Sequence, residues 1–464
     1  MKRNGGGLIL AALLTMPVAA RAFADESSPS STPSSQPQLT PTPSTETETE
    51  SESEAQPLEA TAPTPTPTGA PAQSEQAFFF NGYVDIGFAH ADGDGTSFSP
   101  NDTRAPLDYG SDTFATAVNS RGDVASTNAG DRFTNHFLPY SVGIDGKPSF
   151  LVNTVDADLR YSPAQAPYML FARVQVLPRF EPTGDATRVV VEQAFGRISP
   201  FNRAEFAISI GKFDPVFGIE YLENEAPLRT NITPSLIARY TTGQQLGVKA
   251  LYRKQIPALA SAVSINIAGT NNSSEVEALQ PAEVSLTGVP VGSVRLGYEL
   301  GLEHVQLKLG TSGMYGPRND QRDPGVLQMA VDADARLYVY GLSIAAEGIW
   351  LNQSEGTSAD KLTGTGEGQF ASAFFVRGFY TELNYGFDLG LSGLKKVTPY
   401  AVYSWRHAGF QGFTPITVDR FTFGLRLDLW ENLAFKAEVL LNRELAGAPT
   451  VDNNVQTTSL VFSW

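Results

Sequence analysis

The chain has no cysteine among its 464 residues. That absence excludes a disulfide framework, a thiolate metal site, a thiol nucleophile and a lipid-modified cysteine. Charge is also sparse, at 18% of residues, against ~25% in an average soluble domain. Positive charge is the scarcer sign: 33 Lys and Arg stand against 49 Asp and Glu, a formal net charge of −16. The balance lacks the basic footprint of a nucleic-acid binder, so no nucleic-acid partner is expected. Past the first 20 residues there is no run of ~18 apolar residues, which rules out a membrane-crossing helix. The four histidines (His90, His136, His304, His407) lie far apart, and neither H-E-x-x-H nor G-x-S-x-G occurs. His304 and Ser343 share a strand parity but nothing local unites them. No catalytic residue, cofactor or metal is expected, and the chain reads as a non-enzyme.

The first 76 residues carry two distinct signals. Lys2 and Arg3 precede an apolar stretch from Leu8 to Val18, and Ala22-Phe23-Ala24 forms a small-residue cleavage site. This is the three-part pattern of a secretory signal peptide over 1–24, with Asp25 as the first mature residue. Residues 25–76 are almost all Pro, Ser, Thr, Glu, Gln and Ala, with nine acids and no Lys or Arg. Such a segment cannot bury enough apolar surface to offset its conformational entropy. It is expected to be a disordered acidic linker in the periplasm.

From Phe78 the chain changes character and alternates with period two. Phe421, Phe423, Leu425, Leu427 and Leu429 share one strand face, and Arg420, Thr422, Gly424, Arg426 and Asp428 share the other. Similar segments are expected near 77–90, 149–162, 167–178, 187–199, 204–213, 244–253, 261–270, 292–301, 303–315, 326–337, 341–352, 371–386, 396–408, 418–430, 433–444 and 456–464. Many reach the ~9–11 residues of a tilted membrane strand rather than the ~5–6 of a sandwich strand. The connections alternate between short and long, as in outer-membrane barrels. The final strand places Leu460, Phe462 and Trp464 on one face, a terminal aromatic that fits an interfacial girdle. The expected fold is therefore all-β: a transmembrane antiparallel barrel of about 16 strands over 77–464. Two connections, 254–260 and 387–395, are long for the short-turn end. In 371–386, Arg377 and Glu382 fall on opposite parities, which a bulge near Gly378 would reconcile.

At Ile208-Ser209-Ile210-Gly211-Lys212-Phe213-Asp214-Pro215-Val216-Phe217-Gly218-Ile219-Glu220 the chain resembles general and anion-selective porins of Gram-negative bacteria. It is most similar there to the phosphate-selective porin O and P family. Gly378-Phe379-Tyr380-Thr381-Glu382-Leu383 is a weaker echo. The resemblance implies a 16-stranded barrel, usually a homotrimer, with loops folded in to narrow the pore. It also implies assembly by the barrel assembly machinery, with Phe462 and Trp464 as the signal, and outer-membrane lipid as surroundings. The family's phosphate-specific members line their pores with Arg and Lys. Here the barrel region holds 30 basic residues (33 less Lys2, Arg3 and Arg21) against 40 acids (49 less the nine in the linker). Phosphate specificity is accordingly not carried over.

Lumen parity assigns the pore lining to Asp156, Asp158, Arg160, Arg173, Arg188, Glu192, Lys249, Arg253, Arg295, Glu299, Lys308, Asp332, Asp334, Arg377, Arg406, Arg426 and Asp428. Glu347 shares that parity. A lining of mixed sign predicts weak selectivity. The long connection 214–243 is the candidate constriction loop, with Glu220, Glu223, Glu225 and Arg229 as its charges. Asp92-Gly93-Asp94-Gly95 with Asp102 reads as an ordinary turn, since the twelve-position calcium loop is absent. Arg121-Gly122-Asp123 reads as a chance tripeptide. The expected function is passive diffusion of small hydrophilic solutes or ions through a water-filled barrel. The competing reading is a surface adhesin or structural anchor built on the long loop 91–148.

Overall fold

The computed structural model describes residues 77–91, 149–163, 166–177, 188–200, 205–223, 225–271, 287–317, 326–354, 373–410, 415–446 and 454–464. The signal peptide, the acidic linker, the Asp92–Gly95 turn with Asp102, Arg121-Gly122-Asp123 and His136 lie outside the described residues. The strands are β1 (Phe78–Ala91), β2 (Ser149–Tyr161), β3 (Tyr168–Leu177), β4 (Arg188–Ile198), β5 (Phe206–Phe213), β6 (Gln245–Ile256), β7 (Ser261–Thr270), β8 (Val291–Gly301) and β9 (Val305–Pro317). They continue as β10 (Leu327–Val339), β11 (Leu342–Gln353), β12 (Phe374–Tyr385), β13 (Phe387–Leu391), β14 (Leu394–Phe410), β15 (Ile416–Trp430), β16 (Leu433–Glu444) and β17 (Val455–Ser463). β12 and β13 are one stave interrupted at Gly386, since both pair with β14. Each stave pairs antiparallel with its sequence neighbours, and β1 pairs with β17, so the 17 segments close into a 16-stave barrel. Closure leaves no strand with a free neighbouring side among the described residues.

The alternation of the sequence becomes an inside-out distribution. Val294, Leu296, Val331, Ile344, Leu383 and Phe423 are exposed on the outer face. Inward neighbours such as Arg295, Asp332, Asp334, Glu382 and Thr422 are buried. A soluble barrel would show the reverse; this is the arrangement of a transmembrane one. Outward aromatics gather at the turn end, where Phe78 and Tyr161 approach to 4.5 Å and Tyr385 and Phe387 to 4.6 Å. The seam is closed there by Trp464, whose N–H donates to Gly82 O at 3.0 Å while Gly82 N–H donates back at 3.3 Å.

Both long turn-end connections expected from the sequence are in fact short. β6 runs on to Ile256, and a single 3-10 turn at Pro257–Leu259 returns the chain. Residues 387–391 are strand β13, which leaves only 392–393 as turn. At 340–341 Tyr340 (φ 47°) and Gly341 (φ 85°) are both left-handed, the two-residue hairpin whose twist suits strands. The bulge near Gly378 does not exist. β12 pairs without interruption with β11 and β14 across that residue. Gly378 faces inward, where a Cβ would meet Ile237 at 2.5 Å.

Candidate functional site

The connection after β5 does not stay at the rim. The motif residues explain the change of course. Phe213 and Phe217 are fully buried. Gly218 adopts φ 84°, and a Cβ there would sit 2.6 Å from Glu347 Oε1. That turn aims the next two backbone N–H groups at one carboxylate: Ile219 and Glu220 donate to the two Glu347 oxygens at 2.9 and 3.1 Å. A short 3-10 turn, Glu220–Glu223, and a four-residue helix α1, Ala238–Thr241, are the loop's only regular elements among the described residues. Most of 215–242 is buried.

Wall side chains hold the loop through its backbone. On β16, Lys436 Nζ donates to Ala226 O and Arg229 O, both at 2.6 Å, and to Asn231 O at 3.2 Å. Two residues on, Glu438 accepts from Ile232 N and Thr233 N at 2.9 Å each, and Tyr400 donates to the same carboxylate at 2.8 Å. Arg426 donates to Pro227 O and Arg229 O at 3.0 and 2.9 Å. Arg336 pairs with Glu223. Glu225 reaches the other wall, bonding Tyr83 at 2.5 Å and Arg173 at 2.6 Å. Glu220 braces the loop internally through Ser235 N and Oγ at 2.7 and 2.6 Å. An apolar patch completes the fit: Phe217, Ile237 and Tyr240 pack on Ile349, Leu351, Val376 and Tyr400. These inward apolar positions depart from the polar-inside pattern because the loop, not water, covers them.

Two cavities flank the tip of the loop. One, about 630 Å³, opens at the turn end and is bordered by Glu223, Leu228, His304, Arg336, Ser343, Glu382, Lys396, Arg426 and Asp428. The His304 ring lies tilted against that of Tyr340 there, 4.7 Å between centroids. The other, about 220 Å³, lies between the loop and β3–β9. Its charged border is Arg173, Arg197, Asp214, Glu225, Lys249, Arg253, Arg295, Glu299 and Lys308. Six cations face three carboxylates. Several are paired: Arg253 with Glu299 at 2.5 Å and Arg295 with Asp334 at 2.6 Å. Lys249 donates to Asp214 O at 3.2 Å. Burial pushes the Asp214 carboxyl up to about 6; nearby Arg173 and Lys249 pull it down, Glu225 adds to the rise, and the Gln193 hydrogen bond opposes it. Burial likewise raises Glu220, against the pull of Arg229 and the Ser235 hydrogen bonds.

The residues assigned to the lumen by parity divide as follows. Asp156, Asp158, Arg173, Glu192, Arg295, Asp332, Asp334 and Arg406 are inward and buried, as is Glu347. Lys249, Arg253, Glu299, Lys308, Arg426 and Asp428 are inward and half-buried, and Arg160 lies over Phe79 at 4.3 Å. The side chain of Arg188 is outside the described residues. Arg377 is a correction: it is exposed on the outer face, near the loop end of β12, beside the Phe375 ring at 5.4 Å. The regular pairing of β12 puts it there. A long side chain at that height reaches the polar boundary rather than the lumen. The parity assignment also missed Arg336, Glu382, Arg420, Lys436, Glu438 and Arg197. The alternation of β10, β15 and β16 already carried Arg336, Arg420, Lys436 and Glu438. What it lacked was any sign that their partner would be a distant loop.

No protein-family model matches the chain, and no curated protein matches it. The resemblance to the O and P family thus stays at the level of residues 208–220. Among solved structures, the chain is similar to the outer membrane channel DcaP of Acinetobacter baumannii, with 11% identity and a TM-score of 0.48 over 83% of this chain and 97% of that one. It is similar to the anion-selective porin from Comamonas acidovorans, with 10% identity and a TM-score of 0.47 over 83% and 99%. It is also similar to OmpT, an outer membrane protein of Vibrio cholerae, with 9% identity and a TM-score of 0.46 over 83% and 97%. The likeness is one of architecture alone.

Proposed function

We propose that this chain is a porin of a Gram-negative outer membrane, passing small hydrophilic solutes or ions by passive diffusion, without catalysis. One observation carries the reading: charged cavities of about 630 and 220 Å³ lie inside a closed barrel, on either side of an inward loop. A barrel of this size encloses more volume than its side chains fill. Charged groups at a half-buried inner wall are tolerable when water reaches them and costly when it does not. In this reading the loop 214–243, with Glu220, Glu223, Glu225 and Arg229 as its charges, serves as the constriction, and β5–β9 supply the opposite wall. Six cations against three carboxylates around the smaller cavity give a mild preference for anions despite the acidic chain. Strong phosphate specificity does not follow, because Arg253 and Arg295 already hold carboxylate partners. The surface-anchor alternative draws no support from 214–243, whose backbone is turned inward. Lipid, the assembly machinery and copies of the chain in a trimer are the partners that this reading entails.

Planar-bilayer recording of the folded protein tests it. Ohmic steps that scale with bulk salt are expected, with a small reversal potential of anionic sign in a salt gradient. Micromolar phosphate is expected to leave the chloride current unblocked. A folded barrel that conducts nothing would return the anchor reading to first place.

A further inference from the structure

We propose that the wall formed by β2–β4 holds a calcium ion beneath the loop tip, ligated by Asp156, Glu192, Glu225, Gln175 and Thr154. Asp156, Glu192 and Glu225 are buried, and one carboxylate oxygen of each lies within 4.8 Å of the others. Ligands on opposite sides of a calcium ion with bonds of ~2.4 Å stand about that far apart. The three come from different elements, β2, β4 and the loop, so no sequence motif announces them.

A second observation points to a ligand independently of the acids. Gln175 is fully buried, and both atoms of its side-chain amide lack a hydrogen-bond partner among the described residues. It stands directly opposite Asp156 in the β2–β3 register, on the same inward face. Thr154, two positions before Asp156 on that face, is also fully buried with its hydroxyl unpartnered. An orphaned buried amide is costly, so it calls for an explanation. A hard cation supplies one for the Gln175 and Thr154 oxygens, because it takes carbonyl and hydroxyl oxygens together with carboxylates. Three carboxylates, one amide and one hydroxyl provide at least five of the ~6–8 oxygens that calcium prefers. Magnesium, with a tighter octahedral demand, suits so wide a set less well.

Arg173 lies alongside, bonded to Asp158 at 2.6 Å and to Glu225 at 2.6 Å. Its single charge is shared with two acids, so it does not neutralise the cluster. The backbone anchors of the loop described above lie on β11, β15 and β16. The ion would fasten the loop tip to the opposite wall through Glu225.

The test uses the folded, detergent-purified full chain, freed of lipopolysaccharide and metal by chelation, with calcium alone as the probe. Calorimetry is expected to find one tight site per chain, and calcium to raise the melting temperature. Asp156→Asn and Glu192→Gln should each weaken that site by more than ~10-fold, on the scale of lost metal-site interactions. In chelator both variants should melt no lower than the parent, since each removes one of several crowded like charges. Magnesium should bind more weakly than calcium. Absence of a calcium-dependent shift in the parent overturns the proposal. Calcium binding that both variants leave untouched also overturns it, because such binding resides elsewhere. So does an equal loss of stability with and without calcium, which would mark a purely structural role.

Discussion

Single side chains decide where the loop goes. Gly218 combines φ 84° with a Cβ position 2.6 Å from Glu347. Gly218→Ala therefore strains the backbone and displaces the carboxylate that caps Ile219 and Glu220. A left-handed non-glycine residue costs about 1–2 kcal/mol before the lost hydrogen bonds are counted. Single-channel recording of the Ala variant is expected to show larger and noisier conductance, with the barrel still folded by gel mobility. Asp214 governs a second prediction. Its carboxyl titrates at about 6, above its ordinary value. A raised acid favours the folded loop fully below its unfolded value, and that contribution is lost as the pH climbs through 6. Acidification from 7.5 to 5 thus removes a negative charge without loosening the loop. Anion preference should rise with a midpoint near pH 6, and Asp214→Asn should flatten that step in reversal-potential measurements.

Strands were the most legible elements, and the reason is physical. A period of two survives wherever one face meets an apolar medium and the other a polar one. The loop 214–243 was legible only as a long connection with charges, because its fold is dictated by partners some two hundred residues away. Lys436 and Glu438 illustrate this. They read as polar residues on one face of β16, but they carry the loop backbone. Lys436→Met takes the Lys436 donor from the Ala226 and Asn231 carbonyls, while Arg229 O keeps Arg426; each lost bond costs about 1–3 kcal/mol where water cannot replace it. Faster proteolysis within 225–235 and frequent substate openings are expected, measured by limited digestion and bilayer recording. Arg377 taught the opposite lesson: its charge invited a lumen assignment, while strict alternation along β12 put it outside. The last element makes its own prediction. Removing Phe462-Ser463-Trp464 deletes the Gly82–Trp464 backbone pair and the aromatic contact with Phe80 at 6.3 Å. The truncated chain should lose heat-modifiable migration on gels.

At the scale of the whole molecule, total charge is a poor guide to the lumen. The chain is acidic, with a net charge of −16, yet the smaller cavity is bordered by more cations than anions. Many of the acids sit in the N-terminal segment, and others are spent on wall and loop pairs such as Asp158–Arg173 and Asp334–Arg295. Replacing both Lys249 and Arg253 by Gln should move the reversal potential in a salt gradient toward cation selectivity. Replacing the outward Arg377 by Gln should leave it unchanged. The comparison separates lining residues from charges that merely share the barrel, a distinction invisible to composition.

The loop's fastenings have a consequence for biogenesis. Ile232 and Thr233 bond a residue 206 and 205 positions further along the chain, and Lys436 reaches back 210 positions to Ala226. When β5 and β6 first pair, the segment between them finds the Glu225 partners on β1 and β3. Its footing builds through β10, β11 and β15 and is finished on β16, one strand before the seam closes. Contacts of such separation form late, after the loop-closure entropy has been met. The constriction is thus completed by the same event that seals the cylinder, and an incompletely closed barrel would also be an unobstructed one.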